Sequence, residues 1–176
     1  MRQRRDVTAF SEFVQARSTA LFRTAYLMVG DHQLAQDLLQ EALMKTLIAW
    51  PRLRDPERVE AYARRTIVTT AISWRRRRSF HERPTEFLPA TVVPDHVDAL
   101  ATREVLMAQL LLLPPRQRAA IVLRYYQDLS ESQTAEAMGC SVGAVKSQVS
   151  AGLTRLRARM GPDFDRLTAD DQGVTS

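Results

Sequence analysis

Ser130-Glu131-Ser132-Gln133-Thr134-Ala135-Glu136-Ala137-Met138-Gly139-Cys140-Ser141-Val142-Gly143-Ala144-Val145-Lys146-Ser147-Gln148-Val149 holds two helix starts in close succession. Ser130 followed three residues later by Gln133 has the spacing of a capping box, in which each residue satisfies an orphan amide of the other's turn. Gly139 is a natural stop, because it enters the left-handed region without steric cost, and Ser141 is positioned to cap a second start. The pattern predicts a short helix over 130–138, a tight turn at Gly139-Cys140 and a longer helix over 141–160, the layout of a helix-turn-helix. On the longer helix Val142, Val145, Val149, Leu153 and Leu156 recur on one side, a spacing that predicts an inward face. Gly143, Lys146, Ser147, Ser150, Ala151 and Arg155 are then directed outward. Lys146 suits guanine or phosphate, and Ser147 and Gln148 suit base edges. Arg155 and Arg157 suit phosphates further along, and the small residues permit close approach to a duplex. The competing reading is an ordinary solvated amphipathic helix in a bundle.

Working outward, apolar residues recur at helical spacing over 8–29 (Phe10, Phe13, Val14, Leu21, Ala25, Met28), and Gly30-Asp31 then supplies a stop and an N-cap. A second helix over 31–50 carries Leu34, Leu38, Ala42 and Ile48 on one side and ends before Pro51. Asp55-Pro56-Glu57 opens a third, with a cap, a proline at the first helical position and an acid near the positive dipole end. It runs through Ala61, Ile67, Val68 and Trp74 into Arg75-Arg76-Arg77-Arg78. Over 79–97 the composition shifts to Pro84, Pro89 and Pro94 with Glu86 and Asp95, which predicts a linker. A helix over 99–113 follows, Pro114-Pro115 breaks it, and another covers 116–127 around Ile121, Val122 and Tyr125. From Gly161 the tail turns acidic (Asp163, Asp165, Asp170, Asp171) and is expected to fray. The expected fold is all-α: helical domains at 1–80 and 99–161, a flexible linker at 81–98 and a disordered acidic tail at 162–176. Neither an internal repeat nor useful β-alternation is present.

The chain has 176 residues, formal net charge +5 and a pI near 10.0, a balance that favours a polyanionic partner. The basicity is local: residues 51–83 hold ten arginines against four acids, a charge of +6. Trp74 and Phe80 flank the run at Arg75, Arg76, Arg77 and Arg78, so a base can stack on a ring while guanidinium groups hold the backbone, as in single-strand sites. A core tryptophan beside a solubilising stretch is the bland alternative. The single cysteine, Cys140, excludes an internal disulfide, and His32, His81 and His96 lack metal-ligand spacing. No Gly-rich phosphate loop, nucleophile elbow or oriented acid pair appears, so no catalytic residue, metal or cofactor is expected. No stretch approaches the roughly 20 apolar residues needed to span a bilayer, and no signal core is visible, which predicts a soluble cytoplasmic protein without a membrane partner.

Taken in order, these pieces resemble an extracytoplasmic-function (ECF) group sigma factor of bacterial RNA polymerase over roughly residues 10–160. Asp31-His32-Gln33-Leu34-Ala35-Gln36-Asp37-Leu38-Leu39-Gln40-Glu41-Ala42 is similar to the family's core-binding signature. That resemblance implies docking on the clamp helices of the polymerase's largest subunit by Asp37, Leu38, Gln40 and Glu41. Ala61-Tyr62-Ala63-Arg64-Arg65-Thr66-Ile67-Val68-Thr69-Thr70 and the run after Trp74 are similar to the part that melts and captures the −10 element, implying roles for Arg65, Thr69, Trp74 and Arg75 to Arg78. Leu113-Pro114-Pro115-Arg116-Gln117-Arg118 onward is similar to the −35-reading domain, implying DNA contacts by Ser141, Gly143, Lys146, Ser147, Gln148, Ser150 and Arg155. Two positions depart from many relatives: Thr69 stands where Asn is common, and Ala151 where a basic residue is. The implied partners are core polymerase, including its flap region, promoter DNA and an anti-sigma protein. The alternative is a stand-alone helix-turn-helix regulator, which would lack the 31–42 signature and the arginine-capped third helix.

Overall fold

Asp31 takes an extended conformation and its carboxylate accepts the Leu34 amide at 2.8 Å, so the second helix starts where the cap predicts. The computed structural model describes residues 2–53, 55–78, 99–162 and 164, with the side chains of 2–6, 56, 75–78 and 99–103 outside the description. The predicted linker and most of the acidic tail lie outside the described residues. Seven α-helices are present among them: α1 (Arg2–Val29), α2 (His32–Ala49), α3 (Pro56–Arg78), α4 (Ala99–Leu111), α5 (Pro115–Ile121), α6 (Glu131–Met138) and α7 (Val142–Met160). The described residues contain no strand.

In the first unit, α1 to α3 pack around Leu21, Ala25, Met28, Ala35, Leu38, Ala42, Ile67 and Val68. Phe10 meets Trp50 edge-on at 5.2 Å between ring centroids, which anchors the early turns of α1 to the short 3-10 turn (Trp50–Arg52) after α2. The Asp55 carboxylate accepts the Glu57 amide at 3.0 Å, and Pro56 opens α3 as the sequence predicts. Glu60 on α3 ties back to α1 through Arg17 at 3.1 Å and pairs with Arg64 at 2.8 Å. Helix α1 begins at Arg2, before the expected position 8, because nothing in Arg2-Gln3-Arg4-Arg5-Asp6-Val7 breaks a helix once the later turns are packed.

The second unit holds α4 to α7. The expected single helix over 116–127 is instead α5 followed by one wide turn at Val122–Tyr126, closed by the Gln127 amide on the Val122 carbonyl at 3.0 Å. Asp128 then adopts φ 50°, and the Leu129 carbonyl accepts from the Arg124 guanidinium. Gly152 is buried against α5, where a β-carbon would lie 2.5 Å from Ile121 Cδ1, so α5 and α7 cross at a glycine. Leu110, Leu113, Ile121, Leu156, Met160 and Phe164 form a satellite cluster. Phe164 corrects the expected boundary at residue 161. Its ring is buried and the Arg157 guanidinium stacks over it at 5.1 Å, so part of the supposed tail belongs to the packed unit.

The two units also pack on each other. Leu123, Leu129, Ala137, Met138 and Val145 of the second join the core of the first. Arg118, fully buried, donates through Nε to the Leu110 carbonyl at 2.8 Å and through Nη2 to that of Leu113 at 3.1 Å. Its Nη1 reaches the Met28 carbonyl of α1 at 2.6 Å. Gly30 has φ +75°, and a β-carbon there would meet Leu111 at 2.4 Å, so turn conformation and packing both require glycine.

Arg118→Met keeps most of the side-chain volume but strands several buried carbonyls. Denaturant titration is expected to show a loss of about 3 kcal/mol in unfolding free energy. A loss below about 1 kcal/mol would remove the guanidinium from this structural role.

Candidate nucleic-acid interface

Ser130 and Gln133 form the predicted capping box: the Ser130 hydroxyl accepts the Gln133 amide at 3.1 Å, and Gln133 Oε1 accepts the Ser130 amide at 2.9 Å. Gly139 closes α6 at φ 63°, ψ 43°, and the Ser141 hydroxyl accepts the Ala144 amide at 3.1 Å to start α7. These local bonds set the angle between α6 and α7 and hence the direction of the outward face.

That face is open. Ser141, Gly143, Lys146, Ser147, Ser150 and Arg155 are exposed, and Gln148 is half-buried. From Gly143 to Arg155 the helix rises about 18 Å, enough to follow a major groove through several base pairs. Lys146 stands 3.4 Å from Glu131 on α6 with both side chains largely exposed, a pair too solvated to hold the ammonium away from a phosphate. Arg155 Nη1 donates to Gln117 Oε1 at 3.0 Å, so α5 orients it. No local pattern pointed to Gln117, since the two residues are 38 positions apart along the chain. Two expectations change. Val142 is 38% exposed, because it sits in the first turn, ahead of the packed part of the helix. Ala151 is half-buried instead of outward, and buried Gly152 takes the close approach to α5. The Ser141 hydroxyl is held in place as a cap, an accepting role that does not use its own proton.

On α3, Arg65 is exposed and Trp74 is half-buried against the main core, as the core reading of this tryptophan expects. The Thr69 hydroxyl donates to the Arg65 carbonyl at 2.8 Å within its own helix. Arg75, Arg76, Arg77 and Arg78 form the last helical turn; their side chains lie outside the described residues. Residues Arg65, Thr69 and Arg76 recur along α3 at helical spacing.

On α2, Asp37 and Gln40 are exposed and Glu41 is half-buried, with Glu41 pairing to Lys45 at 2.6 Å and Gln33 donating to Asp37 at 3.1 Å. Leu38 is corrected: it is fully buried in the core between the three helices and offers no surface to a partner. Ile48, expected on the side of Leu34, Leu38 and Ala42, is exposed instead, and with Met44 and Leu47 it continues the outward face of Asp37, Gln40 and Glu41. Among the described residues no group of His, Cys, Asp and Glu could hold a metal, and no helix is long and apolar enough to cross a membrane.

The family pattern described as Sigma-70 region 2 matches residues 13–81, and Sigma-70, region 4 matches residues 103–156. The chain is 41% identical over 155 residues to the RNA polymerase sigma-E factor of Streptomyces avermitilis, covering 88% of this chain and 87% of that one. It is 29% identical over 157 residues to the ECF RNA polymerase sigma factor SigM of Mycobacterium tuberculosis, covering 89% of this chain and 79% of the other. Its fold is similar to that of the sigma factor RpoE from Bartonella quintana, crystallised with the anti-sigma factor NepR, with TM-score 0.67, 24% identity and coverage of 88% of this chain and 98% of that one.

Lys146→Ala is expected to weaken binding of upstream duplex DNA about tenfold and to reduce the slope of log affinity against log salt by about one. Fluorescence anisotropy over a salt series measures both. An unchanged slope would place Lys146 off the phosphates.

Proposed function

Because this chain belongs to the ECF group of RNA polymerase sigma factors, which bind core polymerase and promoter DNA and direct transcription initiation, we propose how its helices divide that work. The observation that carries the proposal is order: a polar-faced α2, an arginine-ended α3 and a helix-turn-helix at α6 and α7 follow one another as the two family regions do.

In this reading Asp37, Gln40 and Glu41 dock on the clamp helices of the largest polymerase subunit, the second unit reaches the flap region, and Leu38 supports the docking face from within. Arg65, Thr69, Trp74 and Arg75 to Arg78 hold separated −10 DNA. Gly143, Lys146, Ser147, Gln148, Ser150 and Arg155 on α7 meet the −35 element, with Ser141 fixing where that helix begins. Melting is driven by binding: unstacked bases gain contacts with rings and guanidinium groups in place of their pairing partners. No nucleotide or metal cofactor enters, the protein is not an enzyme, and it works in the cytoplasm beside the chromosome. The domain division is residues 1–80 and 99–164 with 81–98 as linker, the second extended by Phe164. An anti-sigma protein is a further partner, as one is for the Bartonella sigma factor. A stand-alone regulator is not favoured, since it has no use for the region matched over 13–81.

Transcription with core polymerase and the purified chain, followed by start-site mapping, tests the assignment and reads both promoter elements. A promoter-dependent transcript is expected. A mixture that gives neither transcript nor complex would sink it. Asp37→Arg should lower core-polymerase affinity at least about tenfold with its circular dichroism unchanged, since a buried or desolvated charge reversal costs several kcal/mol. Unaltered affinity would remove α2 from the docking surface.

A further inference from the structure

Glu131 on α6 and Lys146 on α7 face each other across the helix-turn-helix, with Lys146 Nζ 3.4 Å from Glu131 Oε2. Each is placed by its own helix start. Glu131 is the first residue of α6, inside the Ser130–Gln133 capping box, and Lys146 lies in the second turn after the Ser141 cap of α7. Gly143 stands one turn before Lys146 on the same exposed side, and the nearest atom to a β-carbon built there is Ser141 Oγ at 3.9 Å. No bulky side chain therefore holds this turn away from a duplex, and both the acid and the ammonium come near whatever α7 touches.

In water a pair this exposed contributes little to stability, but against DNA its two halves have opposite requirements. A carboxylate only accepts hydrogen bonds and an ammonium only donates them. Lys146 finds acceptors all along a duplex, in phosphates and in the guanine and thymine keto groups. Glu131 finds donors in the major groove only at the amino groups of cytosine and adenine. Anywhere else its carboxylate meets groups of like sign and loses water without replacement. A single base pair supplies both partners: the cytosine amino group hydrogen-bonds to the guanine keto oxygen, which sets these atoms about 2.9 Å apart. That spacing is close to the 3.4 Å between Glu131 and Lys146. Guanine also presents N7 beside O6, and three ammonium donors suffice for O6, N7 and Glu131, whereas thymine has one keto oxygen beside a methyl group. Resting on the assignment of α7 to the −35 duplex proposed above, we infer that Glu131 is a specificity-determining residue. With Lys146 it reads one C·G pair in a single orientation, Glu131 accepting from the cytosine amino group and Lys146 donating to guanine. Reversing the pair sets carboxylate against keto oxygen and ammonium against amino group, so both contacts turn repulsive. Off that pair Lys146 falls back on phosphate and the carboxylate opposes close approach. Selectivity arises from this penalty on wrong sequences as much as from the contacts on the right one.

Holoenzyme assembled with the full chain, or with its Glu131→Gln or Lys146→Ala variant, is titrated with a promoter duplex from the mapped start sites and with copies in which each base pair around −35 is reversed in turn. For the parent, reversal of one C·G pair is expected to weaken binding at least about fivefold, the lower end for one well-placed base contact. A glutamine amide both donates and accepts, so Glu131→Gln should bring that penalty below about twofold. Lys146→Ala should lower the penalty at the same pair. The inference is overturned by a parent with no such pair, by Glu131→Gln penalties equal to the parent's throughout, or by flattening at a pair that Lys146→Ala leaves untouched. Failure of the underlying assignment looks different: Lys146→Ala then leaves every affinity unchanged, because α7 does not meet the duplex at all.

Discussion

The arrangement of this molecule depends on where one buried positive charge finds its electrons. Arg118 has no exposed surface, and its donors are spread over carbonyls at the end of α4, in the turn after it and at the end of α1. Helix C-termini present unsatisfied carbonyls and the negative pole of the macrodipole, so two of them converging on one guanidinium supply much of what burial removed from water. The bonds fix the corner between α4 and α5, and the corner in turn sets Gln117, which orients Arg155 on the exposed face of α7. A core interaction is therefore linked to a surface contact through a single turn of helix.

The same convergence explains the composition of the seam between the two units. For Arg118 to reach Met28, the ends of α1 and α4 must come close, and Gly30 accepts the Leu111 side chain where any β-carbon would collide. Ala63 and Ala71 on α3 and Ala135 and Ala137 on α6 keep neighbouring helices close without large side chains between them. Small residues make an interface easy to approach, and little apolar area is transferred per contact. The satellite cluster of Leu110, Leu113, Ile121, Leu156, Met160 and Phe164 has no counterpart among the described residues of the first unit. It gives the second unit a core of its own.

Much of this was legible in the sequence, for reasons that are local. Asp31, Asp55, Ser130 and Ser141 cap helices within three residues of themselves, and Pro56 and Gly139 act through their own backbone preferences, so their meaning needs no tertiary context. Leu38 is instructive. Its spacing with Leu34 and Ala42 already directed it inward, whereas family resemblance grouped it with its surface neighbours Asp37 and Gln40, and the structure follows the spacing. The wide turn at Val122–Tyr126 had no signal, because Val, Leu, Arg and Tyr fit an α-helix equally well and the extra residue is imposed by packing. Phe164 was hidden by its acidic neighbours, and the contact between units by sequence separation: Gln127 and Thr24 are 103 residues apart.

The two departures from common family residues take on different weight once placed. Thr69 spends its hydroxyl on the carbonyl of Arg65, a bond that a Thr in a helix forms readily because the acceptor lies one turn back. To donate to a base it must surrender that bond for another of similar strength, so in the proposed capture its oxygen serves better as an acceptor. An asparagine amide at the same place would present a donor and an acceptor together, able to pair with a base edge at no such exchange. Ala151 is half-buried beside Gly152, where α7 approaches α5 most closely. A long basic side chain there would have to leave along the helix surface toward DNA. On the proposal above, the phosphate contacts would then fall to Lys146 and the Gln117-oriented Arg155. On the division of labour proposed above, selectivity on the downstream side would rest more on ring stacking and arginine charge than on paired hydrogen bonds, and on the upstream side more on Ser147 and Gln148 than on a second cation.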